Sequence, residues 1–365
     1  MPKISDLIEP IEQFAPTRLQ ESYDNAGLLT GNKSAECTGV LLSLDCIESI
    51  VDEAIANKCN LIIAHHPIIF KGLKSLTGKN YIERTIIKAI KNDIAIYACH
   101  TNIDNVKAGV NKKIADKLGL INAKVLQPKS ELFYKLIVFV PTEHLEKVRT
   151  AILENGGGKI GEYDFCSFNT EGVGTFRAGE NTNPFVGEKL EIHKENETRF
   201  ETIIPKFALN VAIAAMKSVH PYEEVAYDLI PLDNQSNHFG SGLIGELPSE
   251  MDENAFLKHV KTVFKCKSLK HTVLTNKTIK KVALCGGSGQ FLLKNAINSG
   301  ADSYISGDFK YHEFFDADRE ILVIDVGHYE SEQYTPEIFY EILSEKFPKF
   351  AIRLSSIDTN PVSIF

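Results

Sequence analysis

No stretch of the 365-residue sequence approaches the roughly 20 consecutive apolar residues that span a bilayer, so a transmembrane helix is not expected. Basic residues are in deficit: 40 Lys and Arg against 48 Asp and Glu give a net charge of −8. That balance argues against wrapping of nucleic acid, which shows as a basic surplus or a basic face. The opening run MPKISDLIEPIEQF carries acids early and lacks the basic segment and apolar run of an export signal. The seven cysteines (Cys37, Cys46, Cys59, Cys99, Cys166, Cys266, Cys285) include no Cys-x-x-Cys pair. An odd, scattered set reads as reduced thiols in a cytoplasm, not as a disulfide framework or a zinc ribbon. Most are expected to act as small buried hydrophobes. With 24 Gly and 14 Pro, collagenous and low-complexity classes are excluded. What is present, 43% hydrophobic and 24% charged residues, is ordinary for a globular protein, and the length is too great for one single-core domain.

The first third alternates short apolar strands with amphipathic helices. TGVLLSLD, NLIIAH and IAIYACH read as buried strands, and IESIVDEAIANKC and ERTIIKAIKND as helices. This pattern predicts a mostly parallel sheet covered by helices. From about Leu132 the pattern changes. LFYKLIVFVP, a helix ended by Gly156–Gly158, a glycine-punctuated hairpin, ETRFETIIP, the helix KFALNVAIAAMKS and EEVAYDLIPL follow the order β-α-β-β-α-β. That order is the ferredoxin-like split βαβ arrangement. The polar segment DNQSNHFGSG then marks a boundary. Beyond it α/β alternation resumes with KKVALCGGSG, ADSYISGD and ILVIDVGH. The expected organisation is an α/β core split into residues 1–130 and 233–365 and interrupted by a ferredoxin-like α+β insertion at 131–232.

Candidate metal ligands stand at strand ends. His65 and His66 follow NLIIA, His100 and Asp104 follow IAIYAC, and His328 and Glu332 follow ILVIDV. In open α/β sheets, sites form beyond the carboxyl ends of strands, so these segments are expected to converge. His328 and Glu332, four apart, share a face if the segment is helical. Imidazole with carboxylate suits Zn²⁺, Fe²⁺ or Mn²⁺. Adjacent His65 and His66 diverge, so they serve two neighbouring ions more readily than one, and a carboxylate such as Glu332 can bridge such a pair. Taken singly, each histidine fits an ordinary hydrogen-bonded role at a strand end; candidate ligands gathered after three strands favour a metal site.

The motifs ESYDNAGLLTG, LLSLD, IIAHHPIIFKG, HTNIDN, LCGGSG, SGDFKYHEFFDA and GHYESE, in that order, resemble the family named for the Ngg-interacting factor Nif three, whose members are labelled GTP cyclohydrolase 1 type 2 homologues. The resemblance spans nearly the whole chain, and the insertion resembles the PII/CutA-like domain of longer bacterial members. Tyr23 departs from the pattern, standing where many members carry Trp. The resemblance implies a dinuclear centre in which His66 and Asp104 hold one ion, His65 and His328 the other, and Glu332 bridges both. It also implies a toroidal homohexamer with metal sites facing an internal cavity. The expected function is a cytoplasmic metal-dependent hydrolase of a nucleotide-like or phosphoester substrate, with His100 or His312 managing protons. The alternative is a non-catalytic protein that binds or delivers metal or regulates through the insertion.

Other positions keep two readings. Cys285–Gly289 is a tight turn or an anion-binding loop. Asp308 caps a helix or supports the metal site, as His312 could also do, and His100 orients a ligand or fills a core hydrogen bond. Asp24 and Asn25 read as a turn, HPYEEV as a turn into a strand, and His144, His193, His238, His259 and His271 as solvated.

Overall fold

The computed structural model describes residues 1–365 and divides into two units, Met1–Pro128 with Asn237–Phe365, and Lys129–Ser236. The strands are β1 (Gly27–Thr30), β2 (Val40–Ser43), β3 (Leu61–Ala64), β4 (Ala95–Ala98), β5 (Ile121–Pro128), β6 (Phe133–Pro141), β7 (Phe168–Arg177) and β8 (Ile192–Pro205). They continue with β9 (Tyr227–Leu232), β10 (Gly240–Asp252), β11 (Lys270–His271), β12 (Thr278–Ser288), β13 (Ser303–Gly307), β14 (Leu322–Asp325) and β15 (Ile352–Leu354).

The first unit contains two mixed sheets, where the sequence pattern had pointed to one mostly parallel sheet. One has the order β1-β4-β3-β2-β15, with only β1 antiparallel to its neighbour. The other has the order β11-β14-β13-β12-β10-β5, in which β12, β13 and β14 run parallel and the remaining strands antiparallel. Strands β2, β3 and β4 are buried along their whole length, which explains their unbroken apolar sequences: both faces are covered. On one face the helices Glu48–Ala56 and Tyr81–Lys91 bury Ile50, Val51, Ala54, Ile86 and Ala89 against Leu41, Ile62 and Ile96. Asn80 starts the second of these helices by accepting the Glu83 backbone N–H at 2.9 Å. All seven cysteines are free and six are buried, as expected of small core residues.

The second unit is β6, a helix (Leu145–Glu154), β7, β8, a helix (Leu209–Val219) and β9, with antiparallel sheet order β7-β8-β6-β9. This is the ferredoxin-like topology. The glycine-rich run is half of the hairpin: β7 pairs along its whole length with β8, which starts at Ile192, ahead of the ETRFETIIP run. The two helices pack Val148, Ile152, Ala212 and Met216 onto Leu136, Val138 and Phe200, a core of its own.

The chain leaves the first unit at the end of β5 and returns at the start of β10. These strands are antiparallel partners, with Gly240 opposite Pro128. Removing Lys129–Ser236 and joining the ends through a short Gly/Ser linker therefore makes an ordinary hairpin. The shortened chain is expected to be soluble, and thermal melting should give one cooperative transition. An aggregated product from a well-behaved full-length protein would contradict this.

Candidate metal centre

Both sheets of the first unit contribute the carboxyl ends of their parallel strands. His65 and His66 leave β3, His100 and the helical turn Thr101–Asp104 leave β4, and the helical turn His328–Glu332 follows β14. Each of the four imidazoles is anchored through Nδ1. That of His65 donates to the Cys99 carbonyl at 2.9 Å, His66 to Asp45 at 2.8 Å, His100 to Asp24 at 2.7 Å and His328 to Asp308 at 2.7 Å. These bonds commit the Nδ1 protons and turn the Nε2 atoms to other partners, the usual arrangement for a metal-ligating histidine.

Glu332, 3% exposed, is where those atoms converge. Its Oε2 lies 3.7 Å from His65 Nε2, 3.0 Å from His66 Nε2 and 3.1 Å from His328 Nε2. His66 Nε2 and His328 Nε2 are 3.3 Å apart, and His65 Nε2 is 3.8 Å from Asp104 Oδ1. Three sets of ligand atoms, each within 4.8 Å, could hold a metal ion: His65–Asp104–Glu332, His66–His328–Glu332 and His65–His66–His100.

The geometry groups these residues differently from the pairing implied by the family resemblance. His65 groups with Asp104, and His66 with His328. The reason is the strand end itself. Successive side chains diverge, so His65 turns toward β4, where Cys99 holds it beside Asp104, while His66 turns toward the end of β2, where Asp45 holds it facing His328.

The residues fit a cation. His65 Nε2 and Asp104 Oδ1 are buried without a hydrogen-bond partner, an arrangement that is costly unless a further group fills it. Burial, and then the Glu332 charge, raise the Asp104 carboxyl above its ordinary pKa. Burial disfavours charge on His66 and His328, but Asp45 and Glu332 raise the first to about 9, and Asp308 and Glu332 raise the second to about 11. A field that holds protons on these rings also attracts a metal cation.

Two supports were not legible from the sequence. Asp24, expected in a turn, has a fully buried side chain that accepts from His100 and Thr101. Although burial opposes ionisation, those bonds favour it and bring the Asp24 pKa down to about 2. Asp45 receives both His66 and Thr359, the latter at 2.6 Å. The glycine loop is the seat of Glu332. Gly287, at φ +62°, donates its N–H to Ser331 Oγ at 2.8 Å, and a Cβ there would lie 2.3 Å from Glu332 Oε1. Asp308 is the partner of His328. His312 is in none of the ligand groups; it is exposed and packs on Tyr311 and Phe315. Three histidines expected in solvent make hydrogen bonds, His193 with Glu195, His259 with the Leu118 carbonyl and His271 with the Thr272 carbonyl.

Residues 2–361 match the model of the family described as Duf34/NIF3 (NGG1p interacting factor 3). The chain belongs to the Duf34/NIF3 family. Among Duf34/NIF3 relatives, a Halalkalibacterium halodurans protein described as a GTP cyclohydrolase 1 type 2 homolog is 40% identical over 360 residues, 97% of each chain. A Bacillus subtilis protein of the same description is 38% identical over 365 residues, covering 97% of this chain and 96% of its own. The crystal structure of a Bacillus cereus protein related to NIF3 superposes with a TM-score of 0.84 at 38% identity, over 100% of this chain and 99% of that one. No helix of this Duf34/NIF3 protein is long and apolar enough to cross a membrane.

Proposed function

We propose that this protein is a hydrolase that holds two divalent metal ions and acts on a nucleotide-like or phosphoester substrate in the cytoplasm. The observation that carries this reading is a cavity of about 330 Å³ whose lining includes His66 and His328. A metal store needs only ligands, whereas an enzyme needs space for substrate beside them. His65, Asp104 and Glu332 would hold one ion, and His66, His328 and Glu332 the other. Zn²⁺, Fe²⁺ or Mn²⁺ suits these donors, and when bound the pair would polarise a substrate oxygen as Lewis acids. The chain's own part is orientation and proton handling. His100, tied through Nδ1 to Asp24, offers Nε2 to take and return a proton beside the cluster. Lys270, exposed on the cavity wall and paired with Asp325 at 3.1 Å, would offer its remaining N–H donors to an anionic group. The rings of Tyr23 and Phe70, 6.3 Å apart, with Phe70 edge-on to His100 at 6.1 Å, give a planar heterocycle an apolar surface.

The test combines two measurements on protein purified without added metal. Elemental analysis should find two divalent ions per chain, and a mass-spectrometric screen of a metabolite extract should find a compound consumed by this protein and not by Glu332→Gln. Two ions with nothing consumed would favour metal binding or delivery instead.

The assembly is proposed to be a closed homohexamer. Val273, Tyr311 and Phe315 are 63%, 74% and 66% exposed and line one surface depression, an apolar surface suited to burial between subunits. Sedimentation at micromolar concentration should give a hexamer; a stable monomer would contradict it.

A further inference from the structure

We propose that the insertion carries a second binding site, specific for a small organic ammonium ion. Wholly within Lys129–Ser236 lies a cavity of about 310 Å³, whose lining includes Phe176, Phe185, Tyr222, Glu197, Glu223 and Glu224. None of these residues belongs to the metal centre.

The three rings converge without stacking. Tyr222 lies 6.1 Å from Phe176 and 6.3 Å from Phe185, at interplanar angles of 59° and 53°. Each phenyl ring is also flanked by an imidazole, Phe176 by His193 and Phe185 by His144, both at 5.4 Å. Phe185 remains 52% exposed although it has ring partners on two sides. Tilted aromatic walls around a vacant volume suit an alkylammonium group, which the negative ring faces attract.

The carboxylates are built in as well. Glu197 accepts the Tyr222 hydroxyl at 2.8 Å, and its carboxylate lies so close to β7 that a Cβ on Gly174 would be 2.1 Å from Oε2. Glycine at 174 is therefore what admits the Glu197 carboxylate. Glu223 accepts the Asn183 backbone N–H at 2.9 Å, tying the loop that carries Phe185 to the segment that carries Tyr222. That loop is closed at its base by Leu190 N–H to the Ala178 carbonyl at 2.8 Å and braced by Lys189 to the Glu180 carbonyl at 3.0 Å. The walls are thus held by hydrogen bonds.

The lining also selects the class of ligand. Three carboxylates against one cation, Arg177, leave the balance negative, which favours a positive ligand. Ca²⁺ or Mg²⁺ would engage only the glutamates and leave the three aromatic rings unused. A positive charge carried on an apolar body satisfies both conditions.

The test is calorimetric titration of the full-length protein with choline, tetramethylammonium and 3,3-dimethylbutan-1-ol, the neutral counterpart of choline. Choline or tetramethylammonium should bind at one site per chain, and the alcohol at least about tenfold more weakly. Phe185→Leu and Glu197→Gln should each weaken binding about tenfold while leaving metal content unchanged. Phe185 is half-exposed, so its variant should remain folded, as circular dichroism would verify. The proposal is overturned if neither cation binds at millimolar concentration, if the alcohol binds as tightly as choline, or if both variants bind as the native protein does.

Discussion

Glu332→Gln is expected to lower metal content from two ions per chain to one or none. Glu332 belongs to both of the ligand groups that pair a histidine with a second ligand across the site, and three imidazole Nε2 atoms lie within 3.7 Å of its Oε2. Two unit charges 4 Å apart in a partly buried site repel by about 4 kcal/mol, and two divalent ions by about four times as much. A carboxylate between them offsets that repulsion at the shortest distance available. Glutamine keeps the volume and removes the charge, so the loss would trace to electrostatics rather than to packing. Asp104→Asn provides the contrast. Asp104 faces His65 but not the pair of His66 and His328, so this variant should keep one ion. Elemental analysis of both variants, with folding checked by circular dichroism, decides the matter. If Glu332→Gln kept both ions while Asp104→Asn lost both, Asp104 would be the bridge.

Gly287→Ala should abolish the second ion as thoroughly, without touching a ligand. A Cβ at 287 would lie 2.3 Å from Glu332 Oε1, and the carboxylate is buried among imidazoles with little room to yield. The positive φ adds about 1–2 kcal/mol of strain for any residue with a Cβ. Strain alone would lower the melting temperature and leave metal stoichiometry intact. Displacement of Glu332 would lower the stoichiometry in a protein that still folds. Metal analysis beside thermal melting separates the two, and a destabilised variant that still holds two ions would show that the loop does not position Glu332.

The ligand types were legible in the sequence because strand ends and the i,i+4 spacing are local properties. Their grouping was not. Whether His65 or His66 faces Asp104 depends on which neighbouring strand each leans toward, and that is set by Cys99 and Asp45. Asp24 could not be recognised because its partner, His100, is 76 residues away. An aspartate directly after the apolar run LLSL, on a strand adjacent to the one ending in His65–His66, is the signal that could have found Asp45. The glycine loop read as a tight turn or an anion-binding loop, because its role, to leave space for a side chain 45 residues further on, is not a local property. In the fold, β10 escaped notice because glycines at 240, 242 and 245 and Pro248 interrupt its apolar pattern. The insertion was easier to read, since β6, β8 and both of its helices each bury one regular face.

Anomalous X-ray diffraction from crystals of the metal-loaded protein tests the central claim most directly. Two anomalous peaks are expected in each chain, one among His65, Asp104 and Glu332 and the other among His66, His328 and Glu332, both in contact with the Glu332 carboxylate. A single peak among His65, His66 and His100, with Glu332 bound to no metal, would contradict the account.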